Sequence, residues 1–445
     1  MLKNRKCFTV LALLFALVFS AACDNNSQND AKSAIPHDIA ARYFAKLYSL
    51  FEADGGELWG MYLHTPFIFV DAETRQIAAN KPDPQGILVR QGDLYVGTLP
   101  GDIPAIYSTP YFSGQYWAML PWEMMEQFFE MGIDPLRTMA HLAFHVLQPT
   151  LFGATSGWNT SHMEEMDARI SIQLEINALI HALKSTGEER RRAIHDALSI
   201  RAERRYRHPE GKVYENIFEI IEGTAQYLEF KMIVQDMDMA IMEARMWLIE
   251  MRNAPTLSGI FGYWSGALYG LLLDEMGDSW RENLRYDSDL GQLLQDAAGI
   301  TSLALLKELD LAVYGYDDIT AFEAERFAFH DGFLYAIRDS FTNEPTLRIP
   351  WEFRTGMNVN PMQFFELPGW GFIYGPDVVF IGDFGQLVLY GGFFVLHHET
   401  GYVMVLAENV EIENGDVVGL GWRLQLNDGF TVGHGADGGL VVYAG

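Results

Sequence analysis

The sequence predicts an α+β protein: an N-terminal antiparallel β sheet, a helical core, and a C-terminal all-β domain of sandwich or barrel type. Three observations carry this. Residues 58–122 break into short β-branched and aromatic runs with Gly, Pro and Asp between them; residues 123–335 keep a 3.6-residue periodicity; from about Arg338 the chain turns to glycine-punctuated alternation. At 445 residues, 49% of them hydrophobic, the chain suits roughly two or three domains with a sizeable core. Residues 36–335 read as one unit and 336–445 as a second.

The first residues read as a leader. Lys3, Arg5 and Lys6 precede the apolar stretch Phe8–Phe19 and the small residues before Cys23, the order of a secretory signal over residues 1–22 and too short for a spanning helix. A cysteine directly after small residues resembles a bacterial lipobox, which implies a lipidated Cys23, a membrane contact made through that lipid, and a cell-envelope location outside the cytoplasmic membrane. Ser20 stands where a leucine is usual, so ordinary signal cleavage is the alternative. The only other cysteine, Cys7, leaves with the signal, so no disulfide is available within one mature chain. Residues 23–35, "CDNNSQNDAKSAI", are polar and read as a linker.

A helix should start after Pro36 and stop at Gly55-Gly56. The runs "MYLHTPFIFV", "ILVRQGDLYVG" and "AIYSTPYFSGQYWAML" then give the small antiparallel sheet. Asp134-Pro135 is an N-cap and first-turn proline, with Pro149 expected to close that helix after Gln148. Further helices are expected at about 163–185, 188–207, 213–235, 238–250, 264–276 and 303–313. The second of these six, with "RRRAIHDALSIRAERR" at its centre, reads as a solvated carrier of positive charge, and Met-rich "KMIVQDMDMAIMEARMW" as helical core filler. "DVVFIGDFGQLVLYGGFFVL" and "GWRLQLNDGF" belong to the C-terminal strands, with His397-His398 at a hairpin turn.

Charge excludes one class of function. Thirty-one basic against 59 acidic residues give a formal net charge of −28, which repels phosphate backbones and anionic headgroups, so nucleic acid is not an expected partner.

Chemistry concentrates on two helices. In "MAHLAFHVLQ", His141 and His145 are four residues apart and share a narrow polar stripe with Arg137, Thr138 and Gln148 on an otherwise apolar helix. Two imidazoles so placed can meet one ion. The spacing alone also fits two histidines hydrogen-bonded within a core, so a third ligand is needed. Helix 213–235 has the same design, with Glu215, Glu219, Glu222, Gln226 and Glu229 on one stripe. Buried carboxylates in a row need a counter-charge; a metal on the histidines would supply it, as would Arg137 or Arg169.

Glu222-Gly223-Thr224-Ala225-Gln226-Tyr227 resembles the second signature of the gluzincin metallopeptidases, whose first signature is H-E-x-x-H. The stretches "ARISIQLEINALIHALKSTGEERRRAIHDALSIRAERR", "GYWSGALYGLLLDE" and "GWRLQLNDGF" extend the likeness from about residue 60 to the C-terminus, to an uncharacterised bacterial branch of that family. The resemblance implies a gluzincin-like core, Zn2+ as cofactor, His141, His145 and Glu222 as its ligands, and Gly223 as the point where the two helices approach closely.

One position departs from the family. Leu142 stands where the general-base glutamate belongs, and leucine can neither take nor deliver a proton. Glu164, Glu165, Asp167 and Glu219 are candidate substitute bases; His162, Tyr227 and Tyr263 are candidate oxyanion stabilisers. The sequon Asn159-Thr160-Ser161 suggests an exposed loop. The expected protein is an exported zinc-binding pseudopeptidase that binds peptide or protein. The alternatives are an active zinc hydrolase with a relocated base and a metal-free interaction module.

Overall fold

The structure is a computed structural model that describes residues 35–445 apart from 102, 156, 158, 255, 359–363, 368–369, 376–377, 398–399, 414 and 436–438. The leader, Cys23, nearly all of the linker and His398 therefore lie outside the described residues. Helix α1 (His37–Asp54) buries Ala40, Phe44, Leu47 and Phe51, and Gly55 ends it at φ 62.

The first sheet has the order β3 (Val89–Gln91), β4 (Leu94–Thr98), β2 (Gln76–Ala79), β1 (Phe67–Val70), β7 (Ala118–Pro121). It is antiparallel throughout except that β1 pairs parallel with β7. Both of these strands are fully buried, because the sheet carries helices on one face and the Trp117–Met119 cluster on the other. The hairpin β5 (Tyr111–Phe112) and β6 (Gln115–Tyr116) sits beside it.

The helical lobe follows: α2 (Trp122–Glu130), α3 (Leu136–Phe152), α4 (Met166–Lys184), α5 (Gly187–Arg207), α6 (Lys212–Phe218), α7 (Thr224–Glu229), α8 (Met237–Asn253), α9 (Phe261–Asp274), α10 (Leu290–Ala297) and α11 (Tyr316–Asn343). Three expectations change. Pro149 does not end α3, which runs through it to Gly153 at φ 92; a proline late in a helix costs one hydrogen bond, and the final turn survives it. Residues 303–313 hold two short 3-10 turns rather than a helix, and α2, α10 and α11 stand where no individual helix was expected, α11 running across the expected boundary at 335/336. The helix from 212 to 234 is continuous but contains two π turns, Glu219–Gly223 and Phe230–Val234.

The charged helix α5 is also not simply solvated. Arg204 is fully buried and Arg201 nearly so. Arg201 grips Glu219 with both terminal nitrogens, at 2.8 and 2.5 Å, and Arg204 grips Glu215 at 3.0 and 3.1 Å; Glu175 of α4 accepts from both arginines. Arg205 completes the cluster against Glu215 and Asp289. Half of the acidic stripe is thus neutralised by arginine. Arg169, the other suggested counter-ion, instead binds Glu323 of α11 at 2.8 Å.

Why the stripe divides follows from the first π turn. In an unbroken α-helix Glu215 and Glu222 would lie within about 20° of each other. The extra residue of the π turn displaces Glu222 by roughly a quarter turn, so the upstream face meets arginines and the downstream face meets α3.

Beyond α11 the chain forms two antiparallel-dominated sheets. One has the order β10 (Phe364–Leu367), β11 (Gly371–Tyr374), β14 (Phe394–His397), β15 (Tyr402–Leu406), β8 (Thr346–Pro350), β20 (Leu440–Ala444), β19 (Phe430–His434). The other has the order β16 (Glu411–Glu413), β17 (Asp416–Gly419), β18 (Trp422–Leu426), β13 (Gly385–Leu389), β12 (Val378–Gly382), β9 (Arg354–Asn358). Leu347, Val403 and Phe394 of the first meet Phe380, Leu387 and Leu424 of the second in one core, a sandwich rather than a closed barrel. The outer face of the first sheet receives Phe341 and Ile337 of α11.

Candidate metal centre

Helix α3 is buried around most of its circumference, as its sequence requires, and carries His141 (7% exposed) and the partly buried His145 on its polar stripe. The π turn brings Glu222 (8% exposed) opposite them. The Nε2 atoms of both histidines converge on the same Glu222 oxygen, at 3.3 Å from His141 and 3.4 Å from His145. One ligand atom from each residue lies within 4.8 Å of the others, so this buried group could hold a metal ion. Tetrahedral bonds of about 2.0–2.1 Å would set the ligands about 3.3 Å apart, and the two measured edges match.

The far sides of both rings are tethered. His141 donates from Nδ1 to Glu229 at 2.7 Å, and His145 donates from Nδ1 to Gln148 at 2.9 Å. Gln148 is held in turn by donating to the carbonyl of Ile221 at 2.6 Å. Both Nδ1 atoms are thereby engaged, which leaves the Nε2 edge of each ring turned to the centre, the arrangement metal-binding histidines use. Behind Glu229 the chain of charges continues: Arg137 binds it through Nε and spans Glu243 of α8 with its two terminal nitrogens, at 3.1 and 2.9 Å.

Electrostatics agree with the geometry. Burial alone would raise the Glu222 carboxyl, but the imidazoles of His145 and His141 outweigh it and hold it far below the usual carboxylate range. For His141 burial works downward, and hydrogen bonds to Glu222 and Glu229 overcome it, raising the imidazole to about 9. Tyr263 of α9 stacks on His141, centroids 5.8 Å apart and planes 17° apart. Burial and then the Glu222 charge push the phenols of Tyr263 and Tyr107 upward, so both stay protonated.

Glycines set the distance to α9. A Cβ on Gly223 would lie 2.6 Å from the Gly266 Cα and 2.7 Å from the Gly262 carbonyl oxygen. Close approach beside Glu222 is real, but its partner is α9 rather than the histidine helix α3.

The remaining sequence candidates disperse. Leu142 is 1% exposed and part of the main hydrophobic core. Glu164 accepts from Thr256, Ser258 and the amides of Leu257 and Ser258, capping their loop. Glu165 is exposed at the N-terminus of α4, Asp167 pairs with His208, and Glu219 belongs to Arg201. Tyr227 is buried with its hydroxyl on Asp274, and His162 binds Glu215 at 2.8 Å in the arginine cluster. Asn159 is exposed as its loop suggested, while Thr160 is buried and bonded to Ser258. His397 ends β14. Of the methionines read as core filler, Met251 is buried but Met239 and Met242 are 41% exposed. Sequence reasoning missed Glu243 and Tyr107; each lies far along the chain from the histidines and carries no motif. No family model, curated protein or solved structure matches the chain.

Proposed function

We propose that this chain is a zinc-binding protein of gluzincin type that has lost peptide-cleaving chemistry and acts by binding, exported and anchored through a lipid on Cys23. The observation that carries the zinc reading is the convergence of two tethered imidazoles on one Glu222 oxygen with tetrahedral edge lengths. His141, His145 and Glu222 would hold the ion, the His₂Glu donor set suited to zinc. Bound there, zinc would supply a Lewis acid able to polarise a carbonyl or a water.

Among the described residues, no candidate base joins the group of His141, His145 and Glu222. Leu142 is apolar, and Glu164 and Glu219 are each occupied by other partners. Glu229 is closest in role, yet it faces the Nδ1 side of His141, away from the converging Nε2 atoms, and is neutralised by Arg137. General-base catalysis contributes about 10²–10⁴ in rate, so a site without it binds better than it turns over.

Metal analysis of the purified mature protein tests the reading: one zinc per chain, lost in His141→Ala and in Glu222→Ala, is expected. Zinc that survives either change would refute it. Chelator-sensitive hydrolysis of a peptide library by the unmodified protein would refute the loss of activity, whereas turnover gained only in Leu142→Glu would support it. Palmitate labelling that persists in Cys23→Ser would remove the anchor.

A further inference from the structure

The side chain behind His145 is an amide, and the two ends of an amide differ: one only donates and the other only accepts. Gln148 of α3 is 1% exposed, and its Oε1 lies 2.9 Å from the His145 Nδ1. Its Nε2 lies 2.6 Å from the Ile221 carbonyl oxygen and 3.2 Å from the Thr224 hydroxyl. A carbonyl can only accept, so the end facing Ile221 must be the NH₂ group and the end facing His145 the oxygen. That oxygen in turn only accepts. His145 Nδ1 is therefore the donor, and Nε2 is the nitrogen that faces Glu222.

The same logic orients Thr224, 1% exposed at the start of α7. Its hydroxyl donates to the Ile220 carbonyl, so toward Gln148 it acts as the acceptor. Both Gln148 N–H groups thus end on the π turn, one on Ile221 directly and one on Ile220 through Thr224. A π turn interrupts the i→i+4 ladder, and its carbonyl groups turn to other donors. From the other side the turn is pressed by a seam of glycines in α9. A Cβ on Gly262 would strike the Phe218 ring at 2.7 Å, and one on Gly266 would meet the Glu219 carbonyl at 2.5 Å. The turn that presents Glu222 is held between the α9 backbone and one amide of the histidine helix.

We propose that Gln148 and Thr224 are positioning residues of the metal centre: a one-way chain of hydrogen bonds, from His145 through Gln148 to the carbonyls of Ile221 and Ile220, aims His145 and holds the Glu222 turn in its π form at the same time. This rests on the metal-binding reading above and names what regulates the affinity of that site. The two histidines are held differently. His141 leans on the carboxylate of Glu229, whereas His145 leans on the backbone of the helix that carries the third ligand. Metal occupancy and the π turn are then linked in both directions. An ion on His145 and Glu222 stabilises the turn, and a turn relaxed to plain α-helix releases Glu222 and loosens His145 together.

The test titrates the full mature chain with Zn(II) and with Co(II), in the unmodified protein, Gln148→Met, Thr224→Val and Thr224→Ser. Methionine and valine keep the buried volume and remove the hydrogen-bonding groups, so folding should be retained, and circular dichroism checks this. Zn(II) affinity by competitive chelation is expected to fall about 10–100-fold in Gln148→Met, the usual loss for a partner behind a ligand. It should also fall in Thr224→Val and recover in Thr224→Ser, with the Co(II) absorption spectrum shifted in the two weakened variants. Zn(II) should slow hydrogen exchange at the amides of residues 220–225 in the unmodified protein and not in Gln148→Met. An unmodified protein that binds neither ion overturns the metal reading itself. If it binds, and Gln148→Met keeps the same affinity, Co(II) spectrum and exchange response, only the positioning role is overturned, even where the variant melts at a lower temperature. Should Gln148→Met not fold, equal Zn(II) affinity in Thr224→Val and the unmodified protein overturns it instead.

Discussion

Alanine in place of a helical glycine normally stabilises, by about 1 kcal/mol, because the backbone loses less freedom on folding. Gly223→Ala should do the opposite. Its Cβ would stand 2.6 Å from the Gly266 Cα and 2.7 Å from the Gly262 carbonyl, where ordinary contact begins at 3.4 Å, so roughly 0.7–0.8 Å of separation must be found. Both obstacles are backbone atoms of α9, and neither can rotate away. Overpacking of this kind costs about 1–3 kcal/mol; taking the upper figure and subtracting the helix gain leaves about 2 kcal/mol of net destabilisation. At about 2–4 °C per kcal/mol this is a fall of roughly 4–8 °C in the melting temperature. Thermal and urea unfolding followed by circular dichroism would measure it, with Gly332→Ala as control. Gly332 lies inside α11 with open space where its Cβ would be, so the same change there should add about 1 kcal/mol. A Gly223→Ala protein as stable as the parent would refute the seam as a rigid backbone contact.

Other outcomes follow from the buried charges. Arg204→Met should cost about 3–5 kcal/mol in the urea midpoint analysis, because Glu175 and Glu215 lose a partner inside the core. Burial alone would raise Asp289, but Arg201 and Arg205 outweigh it and hold its carboxyl at about 2. A carboxyl depressed in the folded state contributes stability above its unfolded value, near 3.9, which is lost as pH falls toward 2; Asp289→Asn should therefore flatten the acid limb of a stability profile between about pH 4 and 2 while changing its shape little above pH 5. Glu229→Gln keeps size and removes charge behind His141, and zinc affinity by competitive chelation should drop by about 10–100-fold with secondary structure intact.

Much of this architecture was legible because it is written in periodicity. The switch from period-2 runs to 3.6-residue repeats and back marks the sheet, helical lobe and sandwich, and Gly55 stops α1 where a left-handed residue was needed. His141 and His145 stood out for a similar reason, as polar residues at helical spacing on an apolar helix; Glu222 was set apart from the other carboxylates of its stripe only by the resemblance of Glu222–Tyr227, and the structure groups the three. What stayed hidden depends on the partner rather than the residue. Arg201 and Arg204 look like the solvated arginines around them until Glu175, Glu215 and Glu219 are brought across from other helices. Glu243 sits alone among methionines, and only Arg137, 106 residues earlier, explains its burial. The parallel pairing of β1 with β7 likewise depends on what lies across the sheet, not on either strand's own pattern.

The π turn at Glu219–Gly223 works as an angular spacer between two sites that share one helix, the arginine cluster upstream and the histidine centre downstream. Its extra residue behaves like an insertion whose effect is rotational. Were the same residues wound as plain α-helix, the chain would still spell Glu-Gly-Thr-Ala-Gln-Tyr, yet the glutamate of that motif would return to within about 20° of Glu215 and face the arginines. In related chains the motif by itself would then be an incomplete sign of a metal centre. The winding between it and Arg-bound Glu215 is the second half of the signal: the six intervening residues with a π turn set about the same angle as five would in plain α-helix.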